Sequence, residues 1–490
     1  MQQTFSFIYT VRAKKALVVK LMIYQIILFF IVLQFAACNA AVKDVALNGD
    51  TTQPVIKVND VQSISASEKQ HLYAACKLWF DTVLGNKGFN GGMLVAKQGN
   101  IVFETYCGTG HLPGNDSINA ATPFHIASVS KTFTAMMVLL LAQQNRIQIN
   151  DTFSKYFPNF NYPGVTIKML LNHRSGLPNY VYFMEKLGWD KTKYVTNADV
   201  LDYLIHKKKQ LTNIVTPNTK FTYCNTNYAL LALLIEKITN EKYNVFLQKN
   251  IFTPLQMHNS FVFDTTMLTT VNDSYNWRNE IMPFNYLDVV YGDKNIYSTV
   301  QDLLKWDRAL SNSNMFTKHT LDEAYAPYSN EKNGVRNYGL GWRMFVYPND
   351  KKIIYHNGWW HGNNACFVRL IQDDATIIIV GNKFNKNIYH GRELANLFGS
   401  YTPVHEEEEN ETNKDTVTKN TAITNKLFLQ KEKRLVPKKI LGKNTIPVAS
   451  SKHTTSKIKG TIPKKPINNR PKKITVKQKP TVKSNKKITQ

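Results

Sequence analysis

The most strongly apolar segment after the N-terminal region is residues 133–141, which read F-T-A-M-M-V-L-L-L. An apolar side chain on nearly every side of the turn predicts a buried helix, and the block is too short to cross a bilayer. Pro123 precedes the segment, and Ser128 and Lys131 lie at its start. Residues three apart share one face of a helix, so we expect these two side chains to touch.

The remaining pattern alternates between helical and strand-like spacing. Helical spacing of apolar residues predicts helices at 68–84, 167–171, 197–207, 228–238 and 391–398. Thr196 is the predicted cap of the third helix, and Ser298 or Thr299 is the predicted cap of another helix that contains Asp302. Strand patterns separated by turn residues predict a hairpin at 91–110 and strands at 342–347, 352–356, 365–370 and 376–380.

The two ends of the chain differ from this middle part. Basic residues from Arg12 to Lys20 precede an uncharged apolar run that ends at Cys38, a pattern typical of a secretory signal peptide over 1–38. Small residues directly before Cys38 also resemble a lipoprotein cleavage site, which would attach the protein to a membrane through a lipid on that cysteine. Cleavage near Ala40 and retention as an anchor helix are the alternatives. Residues 39–60 are predicted to be a spacer.

Residues 403–490 are rich in Lys, Pro, Thr and Asn and are predicted to be disordered. Residues 406–490 hold 22 Lys and Arg against 7 Asp and Glu, a net +15 of the chain's +26. The positive charge therefore belongs mostly to a tail, and with predicted export we expect no nucleic-acid partner. The tail would bind cell-envelope polyanions, or it would be a solvated linker without a partner.

Four cysteines follow Cys38, at Cys76, Cys107, Cys224 and Cys366. Their wide, irregular spacing fits no zinc pattern, and we expect free, buried thiols, no metal and no cofactor.

Ser128 and Lys131 are the first chemical candidates. A serine hydroxyl is a weak nucleophile until a base takes its proton, and a lysine at an apolar helix start can be that base because desolvation penalises its charged form. Bare S-x-x-K motifs also occur in polar surroundings, as at Ser329 and Ser456. His173, which follows a short helix, is interpreted as structural.

Two further motifs lie downstream in the sequence. Tyr223 and Asn225 of Y-C-N stand at the start of a strongly apolar helix, with Cys224 between them interpreted as packing. His356 and Gly358 of H-N-G stand at the junction of two predicted strands. A glycine there would let a substrate lie along a strand edge, where backbone N–H groups hold a carbonyl oxygen.

The ordered motifs S-x-x-K, Y-x-N and H-x-G resemble the serine beta-lactamase and penicillin-binding superfamily, in particular its class C-like branch of lactamases, D-amino-acid peptidases and esterases. The resemblance also rests on L-L-N-H-R-S-G-L-P, I-Y-S-T-V-Q-D-L and Y-G-L-G-W. It implies an α+β fold over 61–402, with an antiparallel sheet flanked by helices and an all-helical lobe.

The resemblance also implies roles for the site residues. Ser128 would be acylated, Lys131 and Tyr223 would move its proton, and Asn225 would position a substrate amide. The backbone N–H groups of Ser128 and Trp359 would form the oxyanion hole.

Two departures affect the expected substrate. Many lactamases have Lys-Thr-Gly where this chain has His356-Asn357-Gly358, and a neutral histidine would hold a substrate carboxylate less firmly than lysine. Asp293-Lys294-Asn295 occupies a loop that is often glycine-rich in relatives. We therefore expect an exported D,D-carboxypeptidase-like enzyme or an esterase that acts on a peptide or small acyl substrate. A class C-like beta-lactamase and a non-catalytic envelope-binding protein are the alternatives.

Overall fold

The structure is a computed structural model that describes residues 56–111, 116–331 and 334–401. The predicted signal peptide, Cys38, most of the predicted spacer and the predicted tail lie outside these residues. The domain boundaries proposed at 61 and 402 stay predictions. No helix in the described ranges is both long and apolar enough to cross a membrane.

Within the described residues, ten strands form two antiparallel sheets. The strands are β1 (Gly91–Lys97), β2 (Asn100–Cys107), β3 (Phe124–His125), β4 (Phe261–Val262), β5 (Ile296–Ser298), β6 (Arg336–Tyr338), β7 (Arg343–Val346), β8 (Lys352–Trp360), β9 (Asn363–Leu370) and β10 (Ala375–Gly381). The large sheet has the order β2-β1-β10-β9-β8-β7-β6, and the small one has the order β3-β5-β4.

The helices lie on both faces of the large sheet and in a separate lobe. They are α1 (Ala66–Phe80), α2 (Ser130–Gln143), α3 (Ile167–Leu171), α4 (Tyr180–Lys186), α5 (Asn197–His206), α6 (Asn225–Thr239), α7 (Tyr243–Leu247), α8 (Val300–Asn312) and α9 (Lys318–Ala324). Helix α6 is the centre of the lobe and packs on α2, α3, α4, α5 and α7.

The central strand β10 shows how the sheet divides the interior into two cores. Its side chains alternate between the two faces, as strand geometry requires. Ile377 and Ile379 pack with α1 and the C-terminal helical segment, whereas Ile378 and Val380 face α2 and α8. Because both faces are covered, β10 is buried along its whole length, and its residues 377–380 form a continuous apolar run.

Most predicted elements are confirmed, together with the α+β class. The 167–171 helix has the predicted bounds, and Thr196 forms a capping box with Asp199 at the start of α5. Thr299, one of the two predicted candidates, caps α8 by accepting a hydrogen bond from the Asp302 N–H at 3.1 Å.

The predicted closing helix over 391–398 is corrected. The structure has a 3₁₀ helix over Lys386–Leu397, which begins where the Asn385 side chain accepts from the Asn387 N–H. Three of its four buried residues, Ile388, Gly391 and Leu394, recur every three positions, so a helix with three residues per turn keeps these three on the sheet.

The four described cysteines are free, as expected. Cys76, Cys224 and Cys366 are buried, and burial raises the pKa of their thiols, to about 12 for Cys76. Cys107 differs from the expectation because it is only partly buried.

Candidate active site

Ser128 lies in a 3₁₀ turn, Ala127–Val129, directly before α2. Ala127 holds a left-handed backbone conformation at φ 47°, which costs an alanine energy and is typical of a constrained site. Lys131 is fully buried, and its amine lies 3.0 Å from the Ser128 hydroxyl oxygen. The same amine donates to the backbone carbonyl of Asp293 at 2.8 Å. The predicted contact between Ser128 and Lys131 is therefore present.

Tyr223 lies just before α6 and contacts the same amine, and Asn225 is the first residue of that helix. The Lys131 nitrogen is 5.0 Å from the centre of the Tyr223 ring. The side-chain oxygen of Asn225 is buried and has no hydrogen-bond partner among the described residues. A buried acceptor without a donor is costly, which makes this oxygen a natural partner for an incoming N–H group.

Gly358 lets strand β8 approach the turn that contains Ser128. A Cβ atom on Gly358 would lie 2.3 Å from the carbonyl oxygen of Ile126, which no side chain could tolerate. The expected reason for the glycine was access for a substrate, but the contact with Ile126 already requires it. Among the described residues, the pairing of β7 with β8 ends at Tyr355. The part of β8 that contains Gly358 and Trp359 is thus a strand edge beside Ser128.

His356 lies behind this edge rather than on it. Its ring is fully buried and packs 6.2 Å from the Tyr223 ring. Nδ1 lies 2.7 Å from the Asn357 carbonyl and must donate to it, so Nε2 is left to accept from the Tyr338 hydroxyl at 3.3 Å. Both ring nitrogens therefore have partners within the protein. The expectation that His356 contacts a substrate carboxylate does not match this geometry.

His173 completes a buried hydrogen-bonded chain under Tyr223. Its Nδ1 accepts from the Cys224 N–H at 3.2 Å, so its Nε2 donates to the Tyr338 hydroxyl at 3.1 Å. The order His173, Tyr338, His356 thus fixes the tautomer of both histidines. Desolvation and nearby positive charges lower the pKa of both rings well below 6.5, which keeps them neutral. His173 also packs 4.4 Å from the Tyr223 ring, in agreement with its structural interpretation.

Arg343 brings a second positive charge to the site. It begins β7, is half-buried, and its guanidinium carbon is 4.8 Å from the centre of the Tyr223 ring. Gly341, two residues before Arg343, has φ 86°, and a Cβ there would lie 2.3 Å from the Cβ of Ala135 in α2. Gly341 therefore brings this part of the chain close to the helix that contains Lys131.

Comparison with known proteins identifies the fold and its chemistry. The family model described as Beta-lactamase matches residues 79–397. This chain belongs to the beta-lactamase family. It is a serine hydrolase of that family, an enzyme of acyl transfer or hydrolysis.

The similar proteins include penicillin-binding proteins. The chain is 30% identical over 331 residues to Penicillin-binding protein 4* of Bacillus subtilis (strain 168). The match covers 64% of this chain and 73% of that protein. It is 26% identical over 328 residues to Protein flp of Staphylococcus aureus (strain MW2), and the match covers 64% of this chain and 60% of that protein. A penicillin-binding protein structure from Bacillus halodurans matches 65% of this chain and 99% of its own, with a TM-score of 0.58 and 20% identity. A D-stereospecific amidohydrolase structure from Streptomyces sp. matches 68% and 98%, with a TM-score of 0.51 and 21% identity.

Two residues that border the site, Arg343 and Tyr338, were not predicted from the sequence as site residues. Arg343 follows Y-G-L-G-W directly, and that adjacency is the signal that could have found it. Tyr338 is the first residue of the same motif. The described residues include no group of three or more His, Cys, Asp or Glu that could hold a metal ion.

Proposed function

We propose that this protein is an exported serine hydrolase that is acylated at Ser128 and acts on D-amino-acid peptides, as a D,D-carboxypeptidase does. The observation that carries the proposal is the buried Lys131 amine 3.0 Å from the Ser128 oxygen. An amine at hydrogen-bond distance from a hydroxyl at the head of an apolar helix has the geometry of a base and its nucleophile.

The proposed reaction forms an acyl-enzyme in one step and hydrolyses it in another. Unprotonated Lys131 takes the Ser128 proton while the serine oxygen attacks the substrate carbonyl carbon. The N–H groups of Ser128 and Trp359 hold the oxygen that becomes negative. Tyr223 relays the proton that Lys131 took to the leaving amine as the C–N bond breaks. Lys131 then takes a proton from a water molecule that attacks the ester carbonyl, and this proton passes to the Ser128 oxygen as the ester bond breaks.

Two features favour a peptide over an ester. The unpartnered oxygen of Asn225 would accept a hydrogen bond from a substrate N–H, which an ester lacks. The guanidinium of Arg343 beside Tyr223 would attract a carboxylate next to the scissile bond. His356 then has a positioning role under Tyr223. The names of the relatives agree with this, since they include penicillin-binding proteins and a D-stereospecific amidohydrolase.

The test compares the wild-type protein with Ser128→Ala. The wild type should be labelled by fluorescent penicillin and should release D-alanine from D-Ala-D-Ala peptides faster than it hydrolyses nitrocefin or p-nitrophenyl esters. Ser128→Ala should lose labelling and turnover and stay folded, because the residue is small and half-buried. Ser329→Ala, in a second S-x-x-K motif, is the matched control and should be silent.

Each alternative function predicts a different result. Preferred hydrolysis of nitrocefin would indicate a beta-lactamase, and preferred hydrolysis of neutral esters would indicate an esterase. Absence of labelling and turnover in the wild type would indicate a non-catalytic envelope-binding protein.

Export and envelope attachment complete the proposal. The basic run before the apolar segment that ends at Cys38 supports export, and the +15 excess of residues 406–490 supports binding of envelope polyanions. Such binding is screened within about 10 Å at 0.1 M salt. Deleting residues 402–490 in a Cys38→Ser background should leave hydrolysis unchanged and release the protein from isolated envelopes at low salt. Equal retention with and without the tail at every salt concentration would indicate a solvated linker.

A further inference from the structure

Lys294 is a second buried lysine near Lys131, and the proposed reaction gives it no part. The residue is 2% exposed and lies in the segment Asp293-Lys294-Asn295, which departs from the glycine-rich loop expected in relatives. A buried ammonium is costly unless it is paired and hydrogen-bonded, so its partners indicate what it does.

The partners of Lys294 come from two elements. Its ammonium donates to the Tyr180 hydroxyl of α4 and to the Val290 carbonyl at 3.2 Å. The Tyr180 hydroxyl in turn donates to the Asp293 carboxylate at 2.9 Å. The Lys294 nitrogen also lies 3.6 Å from the same carboxylate oxygen. The side chains of Lys294, Tyr180 and Asp293 therefore form a closed, buried triangle.

The triangle fixes a backbone group that contacts the catalytic lysine. The carboxylate of Asp293 is held by Tyr180 and Lys294, while the backbone carbonyl of the same residue accepts from the Lys131 amine at 2.8 Å. On the other side, the Lys294 ammonium lies 4.7 Å from the centre of the Trp360 ring in β8. Trp360 follows Trp359, whose N–H is assigned to the oxyanion hole. The triangle thus borders both the base and the strand edge.

We propose that Lys294 and Tyr180 are positioning residues that hold the Asp293 carbonyl oxygen against the Lys131 amine and thereby aim that amine at Ser128. This rests on the proposed function, in which Lys131 takes the proton of Ser128.

The position of the Asp293 carbonyl affects proton transfer because of the geometry of a neutral amine. Unprotonated Lys131 has two N–H groups and one lone pair, and the lone pair must face the Ser128 hydroxyl to take its proton. An N–H donated to the Asp293 carbonyl sets the rotation of the amine. If the carbonyl shifts, the amine still reaches Ser128 but spends less time in the productive orientation, and small misplacements are costly in rate.

Tyr180→Phe is the primary test, because it removes one hydroxyl and changes little else. The rate constant of acylation by a fluorescent penicillin should fall about 10- to 100-fold, and the dissociation constant of the non-covalent complex should change by less than about threefold. Lys294→Met should likewise slow acylation and leave the dissociation constant nearly unchanged, because it removes the ammonium and keeps an unbranched side chain. The double variant should lose no more than the worse single variant, because the residues act as a unit.

Tyr162→Phe is the matched control. Tyr162 is also buried, and its hydroxyl donates to the Leu204 carbonyl at 2.9 Å, away from the candidate site. This variant should lose stability like Tyr180→Phe and acylate at the wild-type rate.

Two results would overturn the inference. One is wild-type acylation by folded Tyr180→Phe, which would make the triangle structural only. The other is a multiplicative loss in the double variant. If Lys294→Met does not fold, Tyr180→Phe alone decides. Failure of the proposed function is recognised separately, because Ser128→Ala would then be labelled like the wild type.

Discussion

At the scale of single residues, the charge of Arg343 is the proposed basis of substrate selection. We predict that Arg343→Gln raises KM about tenfold or more for a peptide with a carboxylate beside the scissile bond, since a charge-assisted hydrogen bond is lost. A neutral ester should show kcat/KM within about twofold of wild type. Steady-state kinetics on the two substrates measure the difference.

Arg343→Lys is the conservative comparison. Lysine keeps the charge but loses the planar group that lies over the Tyr223 ring, so we expect an intermediate loss on the peptide. An equal loss on peptide and ester would show that Arg343 orients Tyr223 instead of binding substrate.

The sequence predicted one part of the candidate site and missed another, for a physical reason. Ser128 and Lys131 were found because a helix repeat brings residues three apart together, so their contact is local. The Asp293 carbonyl reaches the same amine from 162 residues away, and no spacing rule predicts a contact of that range. His356 was expected at the junction of two strands, but it lies within β8, and the direction of its ring depends on Tyr338 of another strand.

At the scale of elements, prediction succeeded where the periodic pattern was long. Helix α5 shows a clear helical period and strand β10 contains the apolar run 377–380, and the structure has both within about one residue of their predicted bounds. The small sheet β3-β5-β4 was missed because its strands have only two or three residues, too few to show alternation. This sheet matters for the site, since β3 leads into the turn with Ser128 and β5 follows Asn295 directly.

The C-terminal 3₁₀ helix shows a different limit. Its helical character was predicted, but its period of three was not. The choice between a 3₁₀ helix and an α-helix depends on the sheet surface against which the segment packs. Gly391 there packs against Ile379, where a Cβ would lie 2.8 Å from the Ile379 Cδ1 atom.

At the scale of the whole molecule, three buried neutral histidines link stability to pH. Burial lowers the pKa of His125 to about 4, and the pKa values of His173 and His356 lie well below 6.5. In the unfolded chain these rings titrate near 6.5, so below that pH the unfolded state binds more protons. The stability that depends on neutral rings is present above about pH 6.5 and decreases as the pH falls toward 4.

We therefore predict that the free energy of unfolding falls with decreasing pH, by up to about 1.4 kcal/mol per pH unit for each histidine. Urea unfolding at pH 7.5, 6 and 5 measures this. His111 is the control, because its exposed pairing with Asp116 raises its pKa and gives the opposite sign. His111→Gln should not reduce the decrease in the free energy of unfolding at acidic pH. A free energy of unfolding that does not change between pH 7.5 and 5 would contradict the prediction.

The chain from His173 through Tyr338 to His356 also determines how protonation would affect the site. Each link of the chain holds one proton, and every proton points the same way along it. A proton added to Nε2 of His356 would leave the Tyr338 hydroxyl hydrogen facing another hydrogen. Acid therefore creates a local conflict of directions beneath Tyr223. Protonation of His356 should therefore disturb the floor of the candidate site and lower activity.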